Sequence, residues 1–95
     1  MPAYLLVRLN VTDPQQFERY RAAVPAVIAQ YGGRYLVRGG AVTALEGTPD
    51  ARRQVVLEFP SVEAAQRFWD SADYAAVKAR RIGAAEAEVL LVPGV

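Results

Sequence analysis

An α+β sandwich with the element order βαββαβ is the fold this chain predicts. Three observations carry it. Apolar residues alternate with period two in four stretches, and recur with helical spacing in the regions between them. Two strand–helix halves with the same grammar lie on either side of Tyr31-Gly32-Gly33-Arg34-Tyr35-Leu36-Val37-Arg38-Gly39-Gly40. The chain has 95 residues, which fit one domain spanning 1–95. This order is that of a ferredoxin-like sandwich, an antiparallel sheet with its helices on one face.

Ala3 to Asn10 reads as the first strand. Leu5, Val7 and Leu9 share one face; Tyr4, Leu6, Arg8 and Asn10 share the other. Both faces carry apolar residues, so both are expected to be covered. Thr12-Asp13-Pro14 opens a helix. Asp13 caps it, Pro14 takes the first helical position, and Gln16 stands where a capping-box partner would. Phe17, Tyr20, Val24, Val27, Ile28 and Tyr31 form its apolar stripe. A kink is expected at Pro25, and a left-handed stop at Gly32.

Arg34 to Arg38 is a strand with Tyr35 and Val37 on one face and Arg34, Leu36 and Arg38 on the other. Gly39-Gly40 allows a bulge or bend, and Ala41 to Glu46 resumes extended structure. Gly47-Thr48-Pro49-Asp50 is a turn. Arg52 to Phe59 is the next strand. Arg53, Val55, Leu57 and Phe59 face one way; Arg52, Gln54, Val56 and Glu58 face the other. Ser61 caps a helix whose inner face is Ala64, Ala65, Phe68 and Trp69. Asp70-Ser71-Ala72-Asp73 breaks and recaps. A short second helix then runs from about Ala72 to Arg81, burying Tyr74 and Val77. Lys78, Arg80 and Arg81 complement its C-terminal dipole. Glu86 to Val92 is the last strand.

Composition excludes several chemistries. The chain has no Cys and no His. Disulfides, thiolate metal sites and a Cys nucleophile are ruled out, as are a His general base and His-ligated haem. No metal and no cofactor is expected. A net charge of +1 gives no pull toward nucleic acid or anionic lipid. No apolar run approaches the ~18–20 residues of a membrane span. Met1-Pro2-Ala3 lacks the basic start of a signal peptide, so a cytoplasmic protein is expected.

Hydrophobic residues make up 53% of the chain, above the usual ~45–50%. One helix layer covers one sheet face. The other face carries Leu6, Leu36, Val56 and Leu90, too apolar for water. A homodimer built through that free sheet face is therefore expected.

The pattern resembles a family of small bacterial proteins in the dimeric α/β-barrel superfamily, known only as a domain of unknown function. The residues that carry the resemblance are Val11-Thr12-Asp13-Pro14, Tyr31 through Gly40, Leu45-Glu46-Gly47, Glu58-Phe59-Pro60-Ser61, and Trp69-Asp70-Ser71 with Tyr74. Together they cover essentially the whole chain. The resemblance implies the same ferredoxin-like fold and a dimeric barrel. It implies no agreed reaction and transfers no catalytic residue. Its superfamily includes cofactor-independent oxygenases, haem enzymes, lactone isomerases and stress-induced proteins.

Two constellations bear on function. Arg8, Arg38 and Glu58 are placed by alternation on the non-helix face of neighbouring strands. They read either as a clamp for an anion or carboxylate, with Glu58 orienting the arginines, or as an ion-pair network fixing register or a dimer interface. Tyr20, Tyr35, Phe68, Trp69 and Tyr74 read either as an aromatic pocket for a flat ligand or as ordinary core. The ligand-binding candidates are thus Arg8, Arg38, Glu58, Tyr35, Trp69 and Tyr74. The function expected is binding of a small anionic or aromatic metabolite. The alternatives are a cofactor-independent oxygenase or isomerase, and a dimer module without ligand.

Overall fold

A computed structural model describes every residue from Met1 to Val95. The elements run β1 (Ala3–Val11), α1 (Pro14–Gln30), β2 (Arg34–Arg38), β3 (Arg53–Phe59), α2 (Val62–Asp70), α3 (Ala72–Lys78) and β4 (Ala85–Pro93). The four strands form one antiparallel sheet in the order β2-β3-β1-β4. The ferredoxin-like α+β architecture expected from the sequence is the one observed. No helix is long and apolar enough to cross a membrane.

Local sequence sets the helix ends. Asp13 accepts the Gln16 amide, and Pro14 opens α1. The Gln16 side chain does not complete a capping box. Its amide instead donates to the carbonyls of Arg80 and Ile82 at 3.2 and 3.1 Å, tying α1 to the turn before β4. α1 runs unbroken through Pro25 and stops at Gly32, whose φ is +83°. Ser61 caps α2 through the Ala64 amide, and Ser71 caps α3 through the Tyr74 amide.

The core lies between the helices and one face of the sheet. Leu5, Leu57 and Phe59 meet Val24 and Ile28 of α1 and Ala65, Phe68 and Tyr74 of α2 and α3. Phe59 and Phe68 are sealed, with ring centroids 5.2 Å apart. The opposite face bears Leu6, cross-strand from Val56 and Leu90. The loop 42–50 borders its Arg8–Gln54 end, and Leu90 is 44% exposed.

Two expectations are corrected, and a third is settled between its alternatives. Residues 41–46 form no strand; the whole of 39–52 is irregular. Val42 and Thr43 favour extended backbone, but no neighbouring strand offers them a ladder. α3 ends at Lys78, not Arg81, and residues 79–84 form turns. At the glycine pair the bend holds rather than the bulge. The bulge is one residue at Leu36, between Tyr35 and Val37, and Gly39 (φ +77°) ends the strand.

Candidate functional site

The bulge decides which residues meet. Tyr35 lies opposite Leu57, and Arg38 lies opposite Val55. Leu57 and Val55 both face the helices, so Arg38 joins Tyr35 on that side. Simple alternation had placed Arg38 on the free face with Arg8 and Glu58. The extra residue reverses it.

Beneath α1, from Phe17 to Ile28, the sheet and helix leave a cleft of ≈ 190 Å³. Val7 and Leu9 of β1 and Val55 and Leu57 of β3 make its floor. Phe17, Tyr20, Arg21 and Val24 of α1 make its roof. Tyr35, Arg38 and Gly39 form one side, and Arg53 stands at its end. β2 is shorter than β3 and stops at Arg38, so no strand closes the cleft beyond that point.

The lining is apolar and cationic. Three guanidinium groups reach it and no carboxylate does. Arg21 has an exposed partner, Glu18 at 3.5 Å. Arg38 and Arg53 have no carboxylate within 4.0 Å. Each lies instead over an aromatic ring: Arg38 at 4.5 Å from the Tyr35 centroid, Arg53 at 5.6 Å from that of Phe17. Such stacking orders a guanidinium while leaving its in-plane donors free for a planar anion. Burial pushes the Tyr35 hydroxyl above the ordinary tyrosine value, against the pull of Arg38.

Behind this cleft lies a small chamber of ≈ 20 Å³ that shares Val7, Tyr20 and Val24 with it. Trp69, Tyr74 and Arg81 complete its wall. Arg81 is only 5% exposed, the single buried charged residue of the protein. Its Nη2 donates to the Tyr74 hydroxyl at 3.4 Å, and that hydroxyl stands 3.1 Å from the hydroxyl of Tyr20. Burial first, and then Tyr74, hold the Tyr20 hydroxyl far above the usual tyrosine value.

The six residues expected at a site are thus divided. Tyr35 and Arg38 line the cleft; Trp69 and Tyr74 line the chamber behind it. Arg8 and Glu58 lie on the opposite sheet face. There Arg8 is 3.6 Å from Glu88, and Glu58 accepts from Arg34 Nε at 2.7 Å. Arg52 links Asp50 and Glu88 on that face, at 2.8 and 2.9 Å. Asp50 is held well below the usual carboxylate range by its hydrogen bonds from Arg52.

Arg21, Arg53 and Arg81 are cleft or chamber residues that sequence reasoning missed. Arg53 carried a signal, since it shares its alternating face with Val55, Leu57 and Phe59. Arg81 carried none. It was expected to complement a helix dipole in solvent, and the turn at 79–84 folds it inward instead. No group of three or more His, Cys, Asp or Glu stands together to hold a metal ion.

A family model matches residues 2–95. The chain belongs to DUF1330, a domain of unknown function. Among solved structures, this DUF1330 protein is similar to a protein of unknown function from Rhodopseudomonas palustris. The TM-score is 0.74 and the identity 18%, over 99% of this chain and 82% of that one. It is also similar to a dimeric ferredoxin-like protein of unknown function from Thermobifida fusca, with a TM-score of 0.66 and 16% identity, over 99% and 92% of the two chains. A third similar structure is a cofactor-independent oxygenase from Streptomyces nogalater, with a TM-score of 0.64 and 16% identity, over 99% and 93%. At these identities the likeness shows a shared fold. Among curated proteins none matches.

Proposed function

We propose that this DUF1330 protein binds a small planar anion, of the class of single-ring aromatic carboxylates, in the cleft beneath α1. One observation carries the reading. Two ring-stacked arginines without a carboxylate partner, Arg38 and Arg53, line a cleft whose other polar lining is Arg21 with Tyr20 and Tyr35. Both arginines reach solvent, and a guanidinium held flat with free in-plane donors suits bidentate binding of a carboxylate. The cleft is smaller than the ~300–1,000 Å³ of drug-sized sites, which suits one ring and one carboxylate. Arg8 and Glu58, with partners of their own on the far face, play no part in this reading.

The test is calorimetric or NMR titration with benzoate, against benzyl alcohol as a neutral analogue of similar shape. Benzoate binds and benzyl alcohol binds far more weakly. Arg38→Ala weakens benzoate by about 10–100-fold, the equivalent of a lost charge-assisted hydrogen bond of ~1.5–3 kcal/mol. Equal affinity for both compounds, or an unaffected Arg38→Ala variant, overturns the reading.

The working unit proposed is a homodimer joined through the free sheet face, where Leu6, Val56, Leu90 and Val92 stand. Opposed charges on the same face, Arg8 with Glu88 and Arg34 with Glu58, suit a second copy better than a strongly charged partner. The T. fusca protein is described as dimeric. Light scattering of the wild type gives twice the chain mass, and Leu6→Arg gives a monomer. A monomeric wild type at micromolar concentration ends this part of the proposal.

A further inference from the structure

We propose that Arg81, with the hydroxyls of Tyr74 and Tyr20, forms an oxyanion site at the inner end of the cleft. It takes the ionised oxygen of a phenol or enol whose ring occupies the cleft. The inference rests on the reading above that the cleft holds an aromatic anion, and narrows its ligand to hydroxy-aromatic acids. The carboxylate would meet Arg38 and Arg53 at the mouth, and the phenolate oxygen would meet Arg81 within.

Arg81 is 5% exposed and has no carboxylate within 4.0 Å. An arginine cannot shed its proton to escape such a setting, and a buried cation without a counter-charge is costly. Of its five N–H groups, one is used in a side-chain hydrogen bond, to Tyr74 at 3.4 Å. No side-chain nitrogen in the protein is both sealed and without a partner. The spare donors of Arg81 are therefore not sealed in, and Arg81 is one of the residues that line the ≈ 20 Å³ chamber.

That volume is selective. About 10–15 Å³ measured this way holds one water, so ≈ 20 Å³ holds a single oxygen-sized group and excludes a carboxylate. The two tyrosine hydroxyls, 3.1 Å apart, bond to each other, which leaves one O–H of the pair to donate to the ligand. The Tyr20 hydroxyl stays protonated far past neutrality, so it sets no negative charge against the ionised ligand. The ring of Tyr20 also lies 5.5 Å from the Arg81 guanidinium carbon, which holds the cation in place. The surrounding wall is apolar: Leu5, Val24 and Val89 keep bulk water out, which strengthens each of these contacts.

4-Nitrophenol tests the site, because its phenolate absorbs in the visible and its neutral form does not. Saturating wild-type protein lowers the probe's apparent pKa by about one unit, a tenfold preference for the phenolate. Arg81→Met abolishes this shift and leaves benzoate affinity within about twofold, since benzoate has no oxygen for the chamber. Should Arg81→Met fold poorly, Tyr74→Phe keeps the shape, removes one donor and reduces the shift. A wild type that binds benzoate but leaves the probe's pKa unchanged overturns the oxyanion site while the carboxylate reading stands. An undiminished shift in Arg81→Met overturns it too, assigning the effect to the outer arginines. Failure of the wild type to bind either compound overturns both readings together.

Discussion

The glycine pair at the end of α1 performs two separate tasks, and Gly33→Ala isolates one of them. Gly32 has φ +83°, the left-handed conformation that ends the helix. Gly33 has no such requirement. Its constraint is space. A Cβ built on it would stand 2.7 Å from two ring carbons of Phe59 and 2.8 Å from Ile28 Cγ2. Carbon atoms prefer about 3.5–4.0 Å, so roughly 1 Å of movement has to be found. Phe59 has no exposed surface and packs on Phe68, and Ile28 is 3% exposed. Neither has anywhere to go in a close-packed interior. Overpacking of this kind costs about 1–3 kcal/mol. For a domain of this size each kcal/mol lowers the midpoint by about 4–8 °C, so a cost near the middle of that range removes roughly 8–16 °C. Gly40→Ala is the control. No atom lies within 4 Å of its added Cβ, and its φ is not positive. It should be neutral, or stabilising by about 0.4–1 kcal/mol through the unfolded chain. Thermal melts by circular dichroism, with urea midpoints as a second measure, compare the two variants. Equal midpoints for Gly33→Ala and Gly40→Ala would refute the argument that Gly33 is set by the Phe59 ring.

Two further predictions concern charge. Tyr20 is raised above the ordinary tyrosine value by burial and then by Tyr74; Tyr35 is raised by burial against the pull of Arg38. The fold favours their protonated forms, so this contribution is fully present below the unfolded value of about 10 and is lost as pH rises beyond it. The urea midpoint should fall above about pH 10, and fall less steeply in Tyr20→Phe; identical slopes in the two proteins would contradict the assignment. Glu58→Gln breaks the bond to Arg34, whose side chain is 70% exposed, and should cost only about 0.2–1 kcal/mol by urea denaturation. It should leave benzoate affinity unchanged, whereas a marked loss would move the ligand to the other side of the sheet.

What the sequence made legible was whatever local rules decide. The caps at Asp13, Ser61 and Ser71 bond to amides three residues on, so short-range chemistry was enough to find them. The buried stripe of Phe17, Val24 and Ile28 followed from helical period alone. Illegible features depended on partners far along the chain. Val42 and Thr43 have strand-forming side chains but no strand beside them. Arg81 is buried because Tyr20 and Tyr74 come from other elements to meet it, and no spacing in the sequence announces that.

The Leu36 bulge shows how much a non-local detail can govern. Period-two counting from Arg34 puts Arg38 on the free face, in reach of the same side as Glu58. There it would have been one more member of a paired surface network, like Arg34 and Arg8. The inserted residue turns Arg38 to the helix face, where no carboxylate lies within 4.0 Å and only the Tyr35 ring stands beneath it. Glu58 keeps Arg34 as its partner, so no acid follows Arg38 across. The bulge therefore does more than bend an edge strand: it separates a cation from its available counter-charges and delivers it, unpaired, to an apolar cleft. An arginine made available in that way is the feature on which the proposed anion binding depends, and it exists because β2 pairs with β3 one residue out of step.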